Sequence, residues 1–185
     1  MAGHRKVWVP LVAAAAGGLL AITLAAALDG GEPALAAAEP RAIVTRTITI
    51  PAAAFDPTSD AVEYLNEGPA LFVDAGSGTF RAIFGFEAPE IVVRKLVLYA
   101  TDDGAGEICV YLNRSTPADG GGQIMGQLCT TGDEAGVRTF TLSAADFDYR
   151  RLTGAYGPYL RLTMPGTLAD GYLFYDLKVT YTYEI

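Results

Sequence analysis

The clearest structural signal in the chain is the stretch 172–185, which reads YLFYDLKVTYTYEI. Every second residue belongs to one face, formed by Leu173, Tyr175, Leu177, Val179, Tyr181, Tyr183 and Ile185. The opposite face carries polar residues, namely Asp176, Lys178, Thr180, Thr182 and Glu184. Alternation with a period of two over about a dozen residues is typical of a β-strand with one buried face. The stretch therefore predicts a long strand in an antiparallel sheet.

The chain upstream of this strand follows the same pattern. Runs rich in β-branched and aromatic residues predict eight further strands, at 43–50, 70–74, 79–86, 91–100, 107–114, 123–130, 137–142 and 158–164. Glycine-rich turns separate them, and no run after residue 40 keeps a helical period. About nine short strands favour an all-β fold, a two-sheet antiparallel β-sandwich with a jelly-roll-like strand order. We expect one such domain over residues 43–185.

Two short segments have less decided patterns. Residues 58–66 fit either a strand or a single helical turn. Residues 143–146, Ser-Ala-Ala-Asp, predict a short turn capped by the serine.

The first 36 residues predict a signal-peptide helix that precedes the domain. A basic start, His4-Arg5-Lys6, is followed by an uncharged run from Val7 to Leu28, and Ala34-Leu35-Ala36 fits a cleavage site. A cut after Ala38 is an alternative that fits nearly as well. Residues 37–42 then form a short linker. The alternative is an anchor that is not cleaved, because the apolar run is long enough to cross a bilayer. We expect a secreted, cell-surface or periplasmic bacterial protein that has no membrane contact once the signal peptide is removed.

Charge and composition exclude several function classes. The net charge of −8 argues against nucleic acid as a partner. The single histidine of the chain, His4, lies in the predicted signal peptide, so catalytic sites built on histidine are excluded from the domain. Neither a nucleophile elbow nor a phosphate-binding glycine loop is present in the sequence. We expect no catalytic residues and no enzymatic activity.

The two cysteines predict a disulfide. If strands 107–114 and 123–130 form a hairpin, pairing Cys109 with Cys129 places Ile108, Val110, Leu112, Ile124 and Leu128 on the core side. The outer side then receives Cys109, Tyr111, Asn113, Met125, Gln127 and Cys129. A register shift of one residue would destroy this agreement of faces. Export to an oxidising compartment favours the bridge, and the alternative is a pair of free thiols.

Five carboxylates predict a calcium site. The loops 102–107 and 131–136 should meet at one end of the sheet, next to the cysteine pair. This places five acidic residues in one neighbourhood: Asp102, Asp103, Glu107, Asp133 and Glu134. Such a group could bind a structural Ca²⁺, the one cofactor we consider, since calcium takes 6–8 oxygen ligands. The alternative is a set of solvated turn residues without a metal.

Three tyrosines predict a glycan-binding surface. If strands 91–100 and 107–114 form a hairpin, Tyr99 lies opposite Cys109 and near Tyr111 on the outer face. Tyr159 is a third aromatic residue on a face predicted to point outward. Exposed aromatic rings can stack on sugars, although cross-strand packing is an alternative role for them.

Part of the chain also resembles a known group of proteins. The segments that carry the resemblance are Ile50-Pro51-Ala52-Ala53-Ala54-Phe55-Asp56-Pro57, Leu96-Val97-Leu98-Tyr99 followed by Asp102-Asp103, and Tyr181-Thr182-Tyr183. They are similar to segments of uncharacterised exported bacterial proteins with a single β-sandwich domain. The resemblance covers residues 48–185 and implies the fold and export. It implies no activity and no site residues.

The sequence as a whole predicts an exported, non-catalytic β-sandwich that acts as an extracellular binding or surface-assembly module. One alternative is a carbohydrate-binding module that uses outer-face tyrosines, and a second is a hydrolase that works without histidine. The partners we expect are a glycan or a protein at the cell surface, or a second copy of the chain.

Overall fold

The computed structural model describes residues 41–117, 120–166 and 168–185. The predicted signal peptide and residues 37–40 of the linker lie outside these ranges, so both remain predictions. Twelve strands account for most of the described residues: β1 (Ile43–Pro51), β2 (Asp56–Pro57), β3 (Glu63–Asn66), β4 (Leu71–Ala75), β5 (Gly78–Ile83), β6 (Glu90–Asp102), β7 (Cys109–Ser115), β8 (Gly122–Cys129), β9 (Glu134–Ser143), β10 (Arg151–Thr153), β11 (Gly157–Met164) and β12 (Leu173–Glu184). Three short 3-10 helices, Ala52–Ala54, Ala144–Asp146 and Leu168–Asp170, complete the regular structure. In the described part of the chain, no helix has the length and apolar character needed to cross a membrane.

The strand count is higher than the sequence predicts. All nine predicted strands are present, and the three additional ones, β2, β3 and β10, span only two to four residues each. Such short strands lack the alternation that identifies longer ones. The ambiguous segment 58–66 contains β3. The predicted short turn is present as the 3-10 helix Ala144–Asp146 with Ser143 at its N-cap position, and the Ser143 backbone N–H donates to the Asp146 carboxylate at 3.1 Å.

The strands form two antiparallel sheets. In the seven-stranded sheet, β6 and β12 are paired with each other at the centre. On its other side, β6 pairs with β9 and β10. On its other side, β12 pairs with β1 and β4, and β4 in turn pairs with β3. The five-stranded sheet has the order β2-β5-β11-β7-β8. The chain passes repeatedly between the two layers, as a jelly-roll-like order requires. The predicted two-sheet antiparallel β-sandwich is confirmed.

The core lies between the two sheets and consists of apolar side chains from both. Leu96 and Leu98 of β6 and Leu160 and Leu162 of β11 are fully buried. Phe55, in the segment that leads from β1 to β2, packs edge-to-face on Phe174 of β12, with ring centroids 4.9 Å apart. Burying each such side chain contributes about 1.5–3 kcal/mol, so this interlayer contact anchors the first crossing between the sheets.

The first and last strands of the domain are paired along their length. The register runs from Ile43 opposite Glu184 to Pro51 opposite Asp176. The pairing extends beyond the strand ends, because the Ile185 N–H donates to the Ala42 carbonyl at 3.0 Å. An ion pair between Arg41 and Glu184 at 3.6 Å lies beside it. The two ends of the domain therefore emerge next to each other.

A β-bulge corrects the predicted faces of the last strand. The register between β12 and β6 shifts between Phe174 and Asp176, and an inserted residue reverses which side chains point inward. Phe174 is consequently buried, whereas Tyr175 reaches the Thr101 hydroxyl at 3.2 Å on the outer side. The predicted placement of Tyr175 on the apolar face is wrong, although the alternation from Leu177 to Tyr181 holds.

A second bulge changes the β7–β8 hairpin. Leu112 lies opposite Gly126 as the register of the cysteine pair predicts, but the pairing then shifts so that Asn113 faces Ile124. Met125 is buried as a result, and Ile124 is 41 % exposed. The predicted assignment of Ile124 to the core and Met125 to the outer face is therefore wrong.

Candidate functional site

The disulfide is formed as the sequence predicts. Cys109 and Cys129 are cross-strand partners in β7 and β8, and their sulfur atoms are 2.07 Å apart. The bridge lies on the outer face of the five-stranded sheet. One of its cysteines, Cys109, is the cross-strand partner of Thr163 in β11. The bridge therefore stiffens the edge of this face without occupying the interlayer core.

The register of the five-stranded sheet brings polar and aromatic side chains into rows on its outer face. The arginine row, taken across the sheet from β2 to β8, contains Asp56, Arg81, Arg161, Tyr111 and Gln127. The tyrosine row next to it contains Ile83, Tyr159, Asn113 and Ile124. The residues that alternate with these rows, such as Ala82, Leu160 and Leu162, are buried in the core. Both rows consequently face away from the core.

The two tyrosines of these rows each contact an arginine. The guanidinium carbon of Arg161 lies 4.1 Å from the centroid of the Tyr111 ring, and that of Arg81 lies 5.7 Å from the Tyr159 ring. Distances of this size are those of cation–π contacts. Since β7 and β11 are adjacent, Tyr111 and Tyr159 occupy diagonal positions, at which large side chains are within reach of the same ligand.

An open groove of about 1020 Å³ runs over part of this face. Its walls come from the β2 segment, the end of β5, the turn before β8 and the start of β11. The side chain of Ile83 projects into solvent here and is 86 % exposed. A Cβ added to Gly122 would lie 3.1 Å from the Tyr159 hydroxyl, so the glycine lets the backbone of β8 approach this tyrosine closely. Apolar, aromatic and charged groups thus line one accessible depression.

Tyr99 does not belong to this face. The hairpin considered for 91–100 and 107–114 is not formed, because β6 and β7 belong to different sheets and residues 103–108 cross between the layers. On β6, Tyr99 lies opposite Asp176 of β12 and Thr139 of β9. The Lys178 ammonium group lies 4.7 Å from the centroid of the Tyr99 ring and donates to its hydroxyl at 3.3 Å. The structure therefore brings together two of the three predicted tyrosines, Tyr111 and Tyr159.

The five predicted calcium ligands differ in their surroundings. Asp102 and Glu134 are cross-strand partners at the ends of β6 and β9, while Asp103, Glu107 and Asp133 are exposed. Glu134 lies 3.7 Å from Arg138. Among the described residues, the one group of three candidate metal-binding residues whose ligand atoms lie within 4.8 Å of one another is Glu107, Cys109 and Cys129. Its sulfur atoms are joined in the disulfide, so this group is not a thiolate metal site.

Asp102 is the unusual member of the five. It follows the inward positions of Leu96, Leu98 and Ala100 along β6 and is 0 % exposed. Neither of its carboxylate oxygens has a hydrogen-bond partner among the described residues. Burying a carboxylate in this way is unfavourable unless a cation or a proton neutralises it. Sequence reasoning placed this residue in an exposed turn and did not predict its burial.

The loop after Asp102 is held in place by a hydrogen bond to Tyr172, the residue that precedes β12. The Gly106 backbone N–H donates to the Tyr172 hydroxyl, and a Cβ on either Gly104 or Gly106 would collide with that hydroxyl. The absence of side chains at both positions therefore permits the contact. It fixes the backbone that carries Asp102 and Asp103.

A smaller depression of about 430 Å³ has a basic lining that the sequence did not indicate. Its lining includes Arg114, Arg150 and Arg151. Arg114 lies between two aromatic rings, 4.8 Å from the Tyr149 centroid and 4.5 Å from the Tyr156 centroid. Its Nε donates to the Gln123 side chain at 2.9 Å. These contacts occupy Arg114 within the chain and indicate a structural role for it at the end of the sandwich.

Two groups in the seven-stranded sheet have raised pKa values. Burial raises the pKa of Tyr181, with a further contribution from the negative charge of Glu87. A hydrogen bond to Tyr183 raises the pKa of the Arg46 guanidinium. Both groups lie in the seven-stranded sheet, whereas Tyr111 and Tyr159 lie in the five-stranded sheet.

Comparisons with known proteins give matches among solved structures alone. No protein-family model matches the chain, and no curated protein matches it. One similar structure is a family 36 carbohydrate-binding domain of a multidomain xylanase from the hindgut metagenome of Trinervitermes trinervoides, with 13% identity, a TM-score of 0.44, and coverage of 72% of this chain and 96% of that chain. Another is the C-terminal family 6 carbohydrate-binding module of a marine laminarinase from Zobellia galactanivorans, with 14% identity, a TM-score of 0.42, and coverage of 73% and 99%. A family 36 module in complex with calcium and xylotriose has 17% identity, a TM-score of 0.35, and coverage of 75% and 99%. At these identities and TM-scores the matches carry no conclusion about the activity of this chain.

Proposed function

We propose that the protein is a non-catalytic carbohydrate-binding module whose binding surface is the outer face of the five-stranded sheet. The observation that carries the proposal is the placement of Tyr111 and Tyr159 at diagonal positions on adjacent strands, with Tyr159 lining the open groove. Neighbouring sugar units of one glycan chain can contact both rings.

The chemistry of the groove suits sugars. A tyrosine ring offers an apolar surface to the C–H groups of a sugar and a hydroxyl at its edge. Hydrogen-bonding groups accompany the rings on this face: the exposed Gln127 can donate and accept, and the arginines donate. Sugars combine apolar faces with many hydroxyls, so a surface with both kinds of contact recognises them better than a purely polar one.

The carboxylate content of the groove favours binding over hydrolysis. Among the described residues that line it, Asp56 is the one carboxylate. Glycoside hydrolysis ordinarily uses a pair of carboxylates on either side of the scissile bond. The groove residues therefore support recognition without a reaction, in place of the hydrolase alternative.

The test is binding to a panel of polysaccharides, measured by affinity gel electrophoresis and by isothermal titration calorimetry. Tyr159→Ala and Tyr111→Ala should each weaken binding to the retained polysaccharide by about tenfold or more, since a central aromatic contact contributes at least about 1.4 kcal/mol. Tyr99→Ala removes the same side chain from the opposite sheet and is the matched control. Retention of no polysaccharide, or equal losses for Tyr99→Ala and Tyr159→Ala, would contradict the proposal.

We also infer that the protein is exported. The disulfide between Cys109 and Cys129 is the kind of bond that persists outside a reducing cytosol, and it supports the signal peptide predicted for residues 1–36. Expression in the native host should yield a protein whose mature N-terminus follows Ala36, as measured by intact mass. A mature protein that still begins at Met1 would argue for the anchor alternative.

Surface assembly is a second candidate, and the edge strand β9 favours it. Among the strands of the described residues, β9 pairs with β6 alone, and Val137 on it is 61 % exposed. An uncovered strand edge can pair with another chain. A concentration-dependent shift in size-exclusion chromatography, abolished in Val137→Lys, would support assembly through this edge; a constant monomer would exclude it.

The calcium hypothesis is retained for Asp102. The support for it is the burial of this carboxylate without a partner, because a bound Ca²⁺ would supply the missing positive charge. Glu134, its cross-strand partner, and backbone carbonyls of the adjoining loop are the additional oxygen donors we propose.

A further inference from the structure

Two arginines lie directly opposite each other on the proposed binding face. Arg81 of β5 and Arg161 of β11 are cross-strand partners, and both point away from the core. Like charges at directly opposed positions of an antiparallel pair destabilise a sheet. A pair of this kind therefore calls for negative charge nearby.

The described part of the chain does not supply that negative charge as an ion pair. Its arginine–carboxylate contacts within 4.0 Å involve Arg41, Arg138 and Arg151. Asp56 is the cross-strand partner of Arg81 on its other side but forms no such contact with it. The Nε of Arg161 is buried and has no hydrogen-bond partner. That nitrogen is too buried to contact a ligand, so the donors that a ligand could meet are the terminal N–H groups of the two guanidiniums.

The tyrosines hold the two guanidinium groups in place. Arg161 lies over Tyr111 and Arg81 over Tyr159. A guanidinium that is already oriented loses less freedom when it binds, and its planar fork of N–H donors matches the two oxygens of a carboxylate. The arrangement is suited to an oxyanion located between the arginines, with sugar rings against the exposed parts of the two tyrosines that the guanidiniums do not cover.

We propose that the Arg81–Arg161 pair binds the oxyanion group of an acidic polysaccharide, a carboxylate of a uronic acid or a sulfate ester. The inference rests on the proposed function, since it names the class of glycan that the same face would take. The net charge of the chain is −8, so long-range electrostatic repulsion opposes the approach of a polyanion. Binding of an acidic glycan therefore depends on local contacts at this pair.

The experiment compares matched polysaccharides in affinity gel electrophoresis and calorimetry with the full chain. Polygalacturonate and its fully methyl-esterified form differ in the carboxylate alone, and dextran sulfate and dextran differ in the sulfate alone. We expect retention on at least one charged form, with affinity at least about tenfold higher than for its neutral counterpart. The two pairs tell which oxyanion is bound.

Variants locate the contact. Arg81→Gln and Arg161→Gln should each reduce affinity for the charged polysaccharide by about tenfold or more, because hydrogen bonds to a charged group are among the stronger ones. Arg161→Lys keeps the charge but loses the fork, and should give an intermediate loss. Arg150→Gln, in the other basic depression, removes the same charge and is the control. Circular dichroism and thermal melts establish that each variant is folded.

The outcomes separate this inference from the proposed function. Equal binding of charged and neutral forms, still sensitive to Tyr159→Ala, would overturn the role of the arginine pair and leave the glycan-binding face in place. Equal losses for Arg150→Gln and Arg161→Gln would also overturn it, because the effect would then be one of overall charge. Retention of no polysaccharide of either kind would overturn both.

Discussion

Removal of the disulfide is the sharpest test of how the β7–β8 hairpin is stabilised. The bridge joins residues 20 apart in sequence. Closing a loop of that length lowers the entropy of the unfolded chain by an amount worth about 3 kcal/mol at 25 °C. The double variant Cys109→Ala/Cys129→Ala should therefore lose about that much free energy of unfolding. In a domain of this size, the loss lowers Tm by about 6–12 °C.

The assay is guanidinium unfolding followed by circular dichroism, with and without a strong reductant. The oxidised protein should have a higher midpoint than the double variant, and the reduced protein should have a midpoint close to that of the variant. The reductant should not affect the double variant, which makes it the control. Equal midpoints for the oxidised protein and the variant, or labelling of both thiols by maleimide without reductant, would refute the reasoning.

Three further predictions concern packing, pH and calcium. A Cβ at Gly126 would lie 2.6 Å from the Phe147 ring, so Gly126→Ala should lower the free energy of unfolding by about 1–3 kcal/mol in denaturant titrations. The control is Gly85→Ala, where a Cβ would meet nothing within 4 Å and the free energy of unfolding should change by less than about 0.5 kcal/mol. Similar losses for the two variants would contradict this packing. Burial in the folded state raises the pKa of Tyr181, so the folded state binds the phenolic proton more tightly than the unfolded state does. The resulting stability is present below the ordinary tyrosine pKa and is lost as pH rises above about 10. Tyr181→Phe should therefore make the alkaline decrease in Tm less steep in thermal melts. If Asp102 binds calcium, saturating Ca²⁺ should raise Tm by an amount equivalent to about 2.7 kcal/mol at one hundred times Kd, and Asp102→Asn should remove the response; a Tm insensitive to both calcium and chelator would exclude this site.

The fold could be predicted because most strands are long and alternate clearly. In β12 the alternation from Leu177 to Tyr181 is sufficient by itself, and in the hairpin the requirement that Cys109 face Cys129 fixed the register. Both signals are local in sequence. They depend on the period of the strand and on the geometry of a single pair, which do not require knowledge of the other sheet.

The misassigned side chains have a common cause. A bulge inserts one residue and reverses the alternation beyond it. No glycine or proline marks the bulge after Phe174, whereas the bulge in β8 adjoins Gly126, a mid-strand glycine that the alternation pattern does not take into account. Strand patterns alone therefore could not place Tyr175, Ile124 or Met125 correctly.

The candidate site was predictable in part, for a reason of topology. Tyr111 and Tyr159 belong to strands whose faces follow from their own sequences, so their outward direction could be inferred. The neighbours of Tyr99 depend on which strands pair with β6, and the local strand patterns do not determine those partners. The opposition of Arg81 and Arg161 likewise requires the β5–β11 register, which joins segments far apart in the chain.

The pairing of β1 with β12 has a mechanical consequence. Because the strands are antiparallel and Ile43 lies opposite Glu184, a force that pulls the two ends apart loads the ladder at one terminal rung. The hydrogen bonds then break one after another, as in a zipper, and do not share the load as they would in shear. The domain should open at low force when stretched by its ends, so a cell that uses it under tension would need to attach it through one end alone.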